Sequence, residues 1–209
     1  DLPGMDLGNV FTLRSRDDAA EIAASADGAK RAVVIGANFI GMEVAAELKK
    51  RGLDVYVVEP QEEPMAGVFG PEVGKRFRRL HESEGVYFHL GCKPSALGGQ
   101  NKVETVTLED GNELAADLVV IGVGVTPELD YLKTSGLADD PARGVPVNEQ
   151  LRTSVDGVFA AGDIAQFPAH GAHYRVEHWV HAQQQGAHAA RAMLGSDAKF
   201  SDVPFFWTR

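Results

Sequence analysis

The chain has 209 residues, with 20 Lys and Arg against 30 Asp and Glu and a formal charge of −10. Hydrophobic residues make up 44% and charged residues 24%, which excludes a wholly disordered chain, and the deficit of positive charge excludes a nucleic-acid sheath or a membrane-surface helix. The longest apolar run, Leu118 to Val125, is broken by Gly122 and Gly124 and falls well short of the ~20 residues that span a bilayer, so no membrane partner is expected.

The opening Asp1-Leu2-Pro3-Gly4 has neither the basic nor the apolar stretch of a secretory signal, and a cytoplasmic location is expected. Ser15, followed three residues on by Asp18, predicts a capped helix that stops near Asp27-Gly28. Arg31 to Ile35 is a short β-branched run, too brief for a helix, and predicts a buried parallel strand ended by Gly36. Ile40, Val44, Ala45 and Leu48 give helical spacing over 39–50, closed by Arg51-Gly52. Asp54 to Glu59 reads as a second buried strand, Pro71 to Glu84 as a helix and Gly85 to Leu90 as a third strand. Strand, helix, strand, helix, strand within about 60 residues is half of a Rossmann fold. The period then changes: Lys102 to Leu108 alternates, Asp110-Gly111 is a turn pair and Glu113 resumes, a hairpin-like antiparallel insertion. Leu118 to Gly124 returns to a buried strand, and Thr126-Pro127-Glu128 starts a helix by cap and N1-proline logic. Gly144 to Thr153 predicts an irregular strand pair, Val158 to Ala161 a buried strand and His178 to Leu194 the last long helix. The fold class is therefore α/β, a Rossmann-type doubly wound parallel sheet with an antiparallel β insertion plus part of a second α/β domain.

Gly36-Ala37-Asn38-Phe39-Ile40-Gly41 lies between a predicted strand and a predicted helix, where a dinucleotide fingerprint belongs. Gly36 permits the tight turn, Gly41 permits close approach of helix to strand, and the helix N-terminus offers N–H groups and a positive dipole to a pyrophosphate. Glu59 ends the second strand 23 residues after Gly36. A carboxylate there accepts bonds from both adenosine-ribose hydroxyls and repels a 2′-phosphate, which favours NADH over NADPH. Asn38 stands where the pattern has its second glycine. Its side chain either crowds the pyrophosphate or donates an amide hydrogen bond to it. The bland reading is a strand–turn–helix in an α/β core with no ligand.

Thr153-Ser154-Val155-Asp156-Gly157-Val158-Phe159-Ala160-Ala161-Gly162-Asp163 resembles a motif of the flavoprotein reductases with two dinucleotide domains. With Leu2-Pro3-Gly4, Asn9-Val10, Val34 to Glu47, Ile121 to Pro127, Glu177-His178-Trp179, Gln185-Gly186 and Pro204-Phe205-Phe206-Trp207-Thr208, it makes the chain similar, along its whole length, to one family. This is the ferredoxin-reductase branch of the pyridine-nucleotide flavoproteins, apoptosis-inducing-factor-like members included. The resemblance implies a domain at 14–125 that binds NAD(H), and it assigns 1–13 and 126–209 to the returning segment of a discontinuous FAD-binding domain. It implies that the piece lacks the N-terminal FAD half and the C-terminal domain, so FAD belongs to the intact protein, is lost here, and the piece is inactive alone. Gly162 and Asp163 match the family's ribitol site, and Gly122, Val123 and Gly124 lie in a matching cofactor stretch. The start of the last helix, with His181 and Ala182, would point N–H groups at the flavin, and Trp179 and Trp207 would lie beside its ring, core packing being the bland reading of both. Glu43 matches the position near the nicotinamide and would be the catalytic residue, with Phe39 covering the site. The implied activity is hydride transfer from NADH to FAD and then electron transfer to a ferredoxin or Rieske iron–sulfur protein. The alternative is a non-catalytic NADH-binding redox sensor. A eukaryotic parent would make the compartment mitochondrial, and the oligomeric state stays open.

Five of the seven His lie between His170 and His188, but no third ligand for a metal is evident, so none is expected. Cys92 is alone, which excludes a disulfide framework or a Cys-x-x-Cys pair, and it is expected to pack as a small apolar residue. Lys75, Arg76, Arg78 and Arg79 form a basic cluster that reads as a solvated helix face or as a steering patch for an acidic iron–sulfur partner.

Overall fold

The computed structural model describes residues 2–138, 140, 143–169, 171–205 and 207. They divide into two units, one reaching to Gly124 and one starting at Val125. In chain order the first unit holds β1 (Val10–Thr12), α1 (Arg16–Ala26), β2 (Arg31–Ile35), α2 (Phe39–Lys50), β3 (Asp54–Glu59), the single turn α3 (Ala66–Phe69), α4 (Pro71–Ser83), β4 (Val86–Leu90), β5 (Pro94–Gly98), β6 (Thr105–Leu108), β7 (Glu113–Ala115) and β8 (Leu118–Ile121). Local chemistry sets these limits. Ser15 Oγ accepts the Asp18 N–H and Asp18 returns the bond to the Ser15 N–H, the capping box that opens α1. Pro71 occupies the first turn of α4, where a missing N–H costs nothing.

Five strands pair in parallel in the order β1-β8-β2-β3-β4. Alternate side chains face different layers. Val34, Val55, Val57, Leu118 and Val120 pack with Ile22, Met42, Ala45 and Leu48 of the helices, while Val33, Ile35, Val58 and Val119 pack with Leu97, Val106 and Leu108 of the antiparallel sheet β5-β6-β7. Burial on both faces is why these strands are continuous apolar runs instead of alternating ones. Asp117 ties three strands together. Its carboxylate accepts the Lys30 and Arg31 N–H groups at 2.9 Å each, and its carbonyl accepts the Asn9 side-chain amide at 3.0 Å. Burial pushes this carboxyl's pKa up, but the two N–H donors and the Arg31 charge outweigh it and hold the group below its ordinary range. Cys92 is half-buried against the second of the two cores, as a small apolar residue would be.

Three expectations are corrected. The described residues of the expected 1–13 segment do not go with the later segment: Val10, Phe11 and Thr12 pair with Val119, Val120 and Ile121, so β1 covers the free edge of β8 and the boundary between units follows Gly124. The helix expected from Thr126 is only a 3₁₀ turn, Asp130–Leu132, because Ser135-Gly136 stops the chain within one turn and Gly136 takes φ +69°. Val158 to Ala161 forms no strand beyond a single bridge, Arg152 to Phe159; its backbone folds back on 151–155 in a tight turn.

The second unit holds β9 (Val145–Pro146), β10 (Ala165–Ala169), β11 (Ala172–Tyr174) and α5 (Trp179–Met193), with the sheet order β11-β10-β9. Leu129, Val147, Leu151, Phe167, Ala189 and Phe200 form its core. His170, and Phe206 and Thr208 of the matched motif, lie outside the described residues.

Candidate functional site

The turn after β2 is built on close backbone contacts. Gly36 sits at φ +99°, and a Cβ there would lie 2.5 Å from the Gly122 carbonyl oxygen. A Cβ on Gly41 would fall 2.0 Å from the Gly36 oxygen, and one on Gly122 would lie 3.1 Å from the Gly41 nitrogen. Three glycines therefore let β2, α2 and the end of β8 meet at backbone distance. The Gly36 and Gly122 N–H groups donate to Val58 and Ile35, which pins the turn to the sheet.

Above this floor opens a cleft of about 520 Å³, lined by Gly36, Asn38, Glu59, Pro60, Gln61, Lys93, Pro94 and Val123 among others. It lies at the carboxyl ends of the parallel strands, where open α/β sheets bind their ligands. Asn38 is the N-cap of α2, at φ −89° and ψ −171°, and its side chain makes no capping bond. The first turn of α2 leaves backbone donors and the positive end of the helix dipole at the cleft. A dinucleotide pyrophosphate fits this cradle, since Gly36 lines the cleft with bare backbone beside the start of α2.

Glu59 is 5% exposed. One carboxylate oxygen accepts the Ala37 N–H at 2.6 Å and the other the Gln61 N–H at 3.1 Å. The residue that the spacing assigned to the ribose thus also clamps the glycine turn. Each oxygen keeps a second lone pair for a hydroxyl.

Other expected residues fall elsewhere. Ala37 and Gly41 are buried beneath the cleft. Phe39 and Ile40 pack on the helix-side core, Phe39 edge-on to Phe69 with ring centroids 5.7 Å apart, so Phe39 does not cover the cleft. Glu43 lines a separate groove of about 270 Å³ with Leu13, Ile22, Glu47 and Arg51. Gly124 sits at φ +110° at the end of the unit, with open space where its Cβ would be. Lys93 and Gln61 were missed; the rule that ligands sit at strand carboxyl ends was the available signal, because Lys93 follows β4.

In the second unit, Gly162 sits at φ +82° with 3.3 Å between its hypothetical Cβ and that of Ala182, and its N–H donates to Gln185 Oε1 at 2.8 Å. Asp163 is exposed, and its carbonyl accepts from Arg175. His178 caps α5, accepting the Val180 N–H, and the Ala182 N–H is spent on the His178 carbonyl. Among the expected flavin-facing donors, Ala182 is therefore corrected, and the N–H groups of Trp179 and His181 remain in the first turn. The His181 ring is fully buried between Phe167 and Phe200, at 5.0 and 5.4 Å, and burial pushes its pKa down against the pull of Asp202 and Asp163. Trp179 and Trp207 are not core residues: they are 56% and 44% exposed and meet edge to face at 5.5 Å. An exposed carboxylate, a close-packed glycine and a helix N-terminus beside exposed indoles suit one side of a flavin site.

The pyridine nucleotide-disulphide oxidoreductase family matches residues 1–186. Human apoptosis-inducing factor 3 is 39% identical over 98% of this chain and 34% of its own length. The ferredoxin reductase component of chlorobenzene dioxygenase from Cupriavidus sp. (strain PS12) is 36% identical over 99% of this chain and 50% of its own. Among solved structures, a ferredoxin reductase from Rhodopseudomonas palustris superposes with a TM-score of 0.93 at 36% identity, covering 100% of this chain and 52% of that one. The covalent putidaredoxin reductase–putidaredoxin complex gives 0.90 at 31%, covering 98% and 50%. The chain thus spans about a third to a half of the length of these relatives. No helix among the described residues is long and apolar enough to cross a membrane. From the three-glycine floor to the Gly162 segment, the chain belongs to the pyridine nucleotide-disulphide oxidoreductase family, in its ferredoxin-reductase and apoptosis-inducing-factor-like branch.

Proposed function

We propose that this chain is the NADH-binding domain, with a returning part of the FAD domain, of a flavoprotein reductase that feeds electrons to a ferredoxin or Rieske iron–sulfur protein. The observation that carries the reading is the contact of Gly36, Gly41 and Gly122 beneath a cleft that also holds Glu59. In this reading the first turn of α2 and the Asn38 amide hold the pyrophosphate, Glu59 accepts the ribose hydroxyls and Val123 flanks the far end of the dinucleotide. Gly162, Asp163, Trp179, Trp207 and the first-turn N–H groups of α5 would hold the flavin. Bound FAD would supply a two-electron acceptor able to release electrons singly. Glu43 is proposed as the acidic group serving hydride transfer. That role rests on the family resemblance, since Glu43 lines the groove with Leu13 and Glu47 and not the dinucleotide cleft. Lys75, Arg76 and Arg79 are exposed on α4, whereas Arg78 is engaged by Glu63 and Glu82, so three cations remain to steer an acidic iron–sulfur protein.

Calorimetric titration of NADH into the chain tests the binding half: saturable one-to-one binding is expected, and no heat at millimolar NADH refutes it. Stopped-flow reduction of the FAD-loaded parent by NADH tests the enzyme half. Fast flavin reduction supports a reductase, and slow reduction with a long-lived charge-transfer complex supports the redox-sensing reading instead.

A further inference from the structure

We propose that Lys93 gives the cleft a second anion site, so that it takes NADPH as well as NADH, with the 2′-phosphate of the adenosine ribose against the Lys93 ammonium. This rests on the dinucleotide reading above and deepens it.

Discrimination against a 2′-phosphate at such sites needs a carboxylate that faces the ligand with its charge unopposed. Glu59 lines the cleft, but its charge is not unopposed. Both its oxygens accept backbone N–H groups and it is almost wholly buried, so two oriented dipoles partly oppose its charge. The opposing charge is close by in the fold. β4 is the strand next to β3, Leu90 is the register partner of Glu59, and the Cys92 N–H donates to the Glu59 carbonyl at 3.3 Å. Lys93 follows directly, exposed on the lining of the same cleft, and its carbonyl is fixed by the Glu109 N–H at 2.9 Å. Among the described residues no carboxylate lies within ion-pair distance of its ammonium, so none of them neutralises it. It is also the one cation among the described residues that line the cleft. An ammonium is a compact point charge on a flexible stem, suited to a phosphate whose position is not fixed by a fork of donors. The cleft therefore carries positive potential at two places, the start of α2 for the pyrophosphate and Lys93 for a phosphate on the adenosine side.

Calorimetric titration of the 209-residue chain with NADH, NADPH and 2′,5′-ADP decides it. Dissociation constants for NADPH and NADH within tenfold of each other are expected, with 2′,5′-ADP binding more tightly than 5′-ADP. Lys93→Ala should shift the NADPH to NADH affinity ratio at least tenfold against NADPH, Lys93→Arg should restore it, and the preference for 2′,5′-ADP should fall with added salt. NADH binding with NADPH more than tenfold weaker overturns this inference and leaves the dinucleotide site standing. So does a Lys93→Ala variant that leaves the ratio unchanged. Binding of neither nucleotide to the wild-type chain overturns both.

Discussion

Each oxygen of the Glu59 carboxylate holds a backbone N–H, and the two donors differ in what happens when it is removed. Gln61 is exposed, so water replaces its bond, but Ala37 is fully buried and its N–H would be left without an acceptor. A stranded buried donor costs roughly 1–3 kcal/mol, so Glu59→Ala should destabilise the fold by about that amount in urea unfolding and weaken NADH at least tenfold in calorimetry. Glu59→Gln should lie between, because its amide nitrogen meets one of the two donors with a donor. Asn38 is a cleaner probe. At φ −89° and ψ −171° its backbone is extended and gains nothing from glycine, and its side chain makes no capping bond, so Asn38→Gly changes little but the cleft. Loss of about 0.5–1.5 kcal/mol of NADH binding is expected if the amide donates to phosphate, and tighter binding by the glycine variant would mean that it only obstructs. At this scale the sequence carries identity but not direction. The 23-residue spacing located Glu59 correctly at the end of β3, yet nothing in a spacing says which way a carboxylate turns, and the Ala37 bond was not legible.

The strands read well wherever a Val- and Ile-rich run is bounded by glycine, and β2 and β3 begin and end where those runs do. Reading failed where tertiary pairing overrode composition. Ala165 to Ala169 contains Pro168 and little β-branched character, yet forms β10 because β9 and β11 flank it. Val158 to Ala161 has the apolar character but no neighbour to pair with along its length. Asp117 shows how one side chain orders several elements, since it joins the starts of β2 and β8 and reaches Asn9 beside β1. Its pKa is lower folded than unfolded, so its stabilisation is present above the unfolded value near pH ~4 and is lost as pH falls through the lower folded value. Asp117→Asn should accordingly lower stability at neutral pH and flatten the acid limb of the stability profile, measured by urea midpoints from pH 2 to 7. An unchanged acid limb would show that the bonds to Lys30 and Arg31 carry no linkage.

At the level of the whole molecule, the two units have separate cores, and the dinucleotide cleft draws its lining from the first alone. Differential scanning calorimetry should show NADH raising the transition of the first unit, by ~2.7 kcal/mol at a hundred times the dissociation constant, and leaving that of the second in place. A uniform shift of both transitions would show that the units unfold as one.

The insertion of β8 between β1 and β2 fixes an order of events during synthesis. β2, α2, β3 and β4 can assemble as the chain emerges, but β1 has no partner until residues 118–121 arrive, about a hundred residues after it. Until then β2 presents an unpaired edge, a surface open to mispairing with other nascent chains. Gly122 comes with β8, so the floor of the nucleotide cleft is the last part of the first unit to close. A ribosome-bound chain stalled once residues up to about 110 in this numbering have left the exit tunnel would hold the glycine turn but not the backbone that supports it, and nucleotide could protect the domain only after β8 has been released.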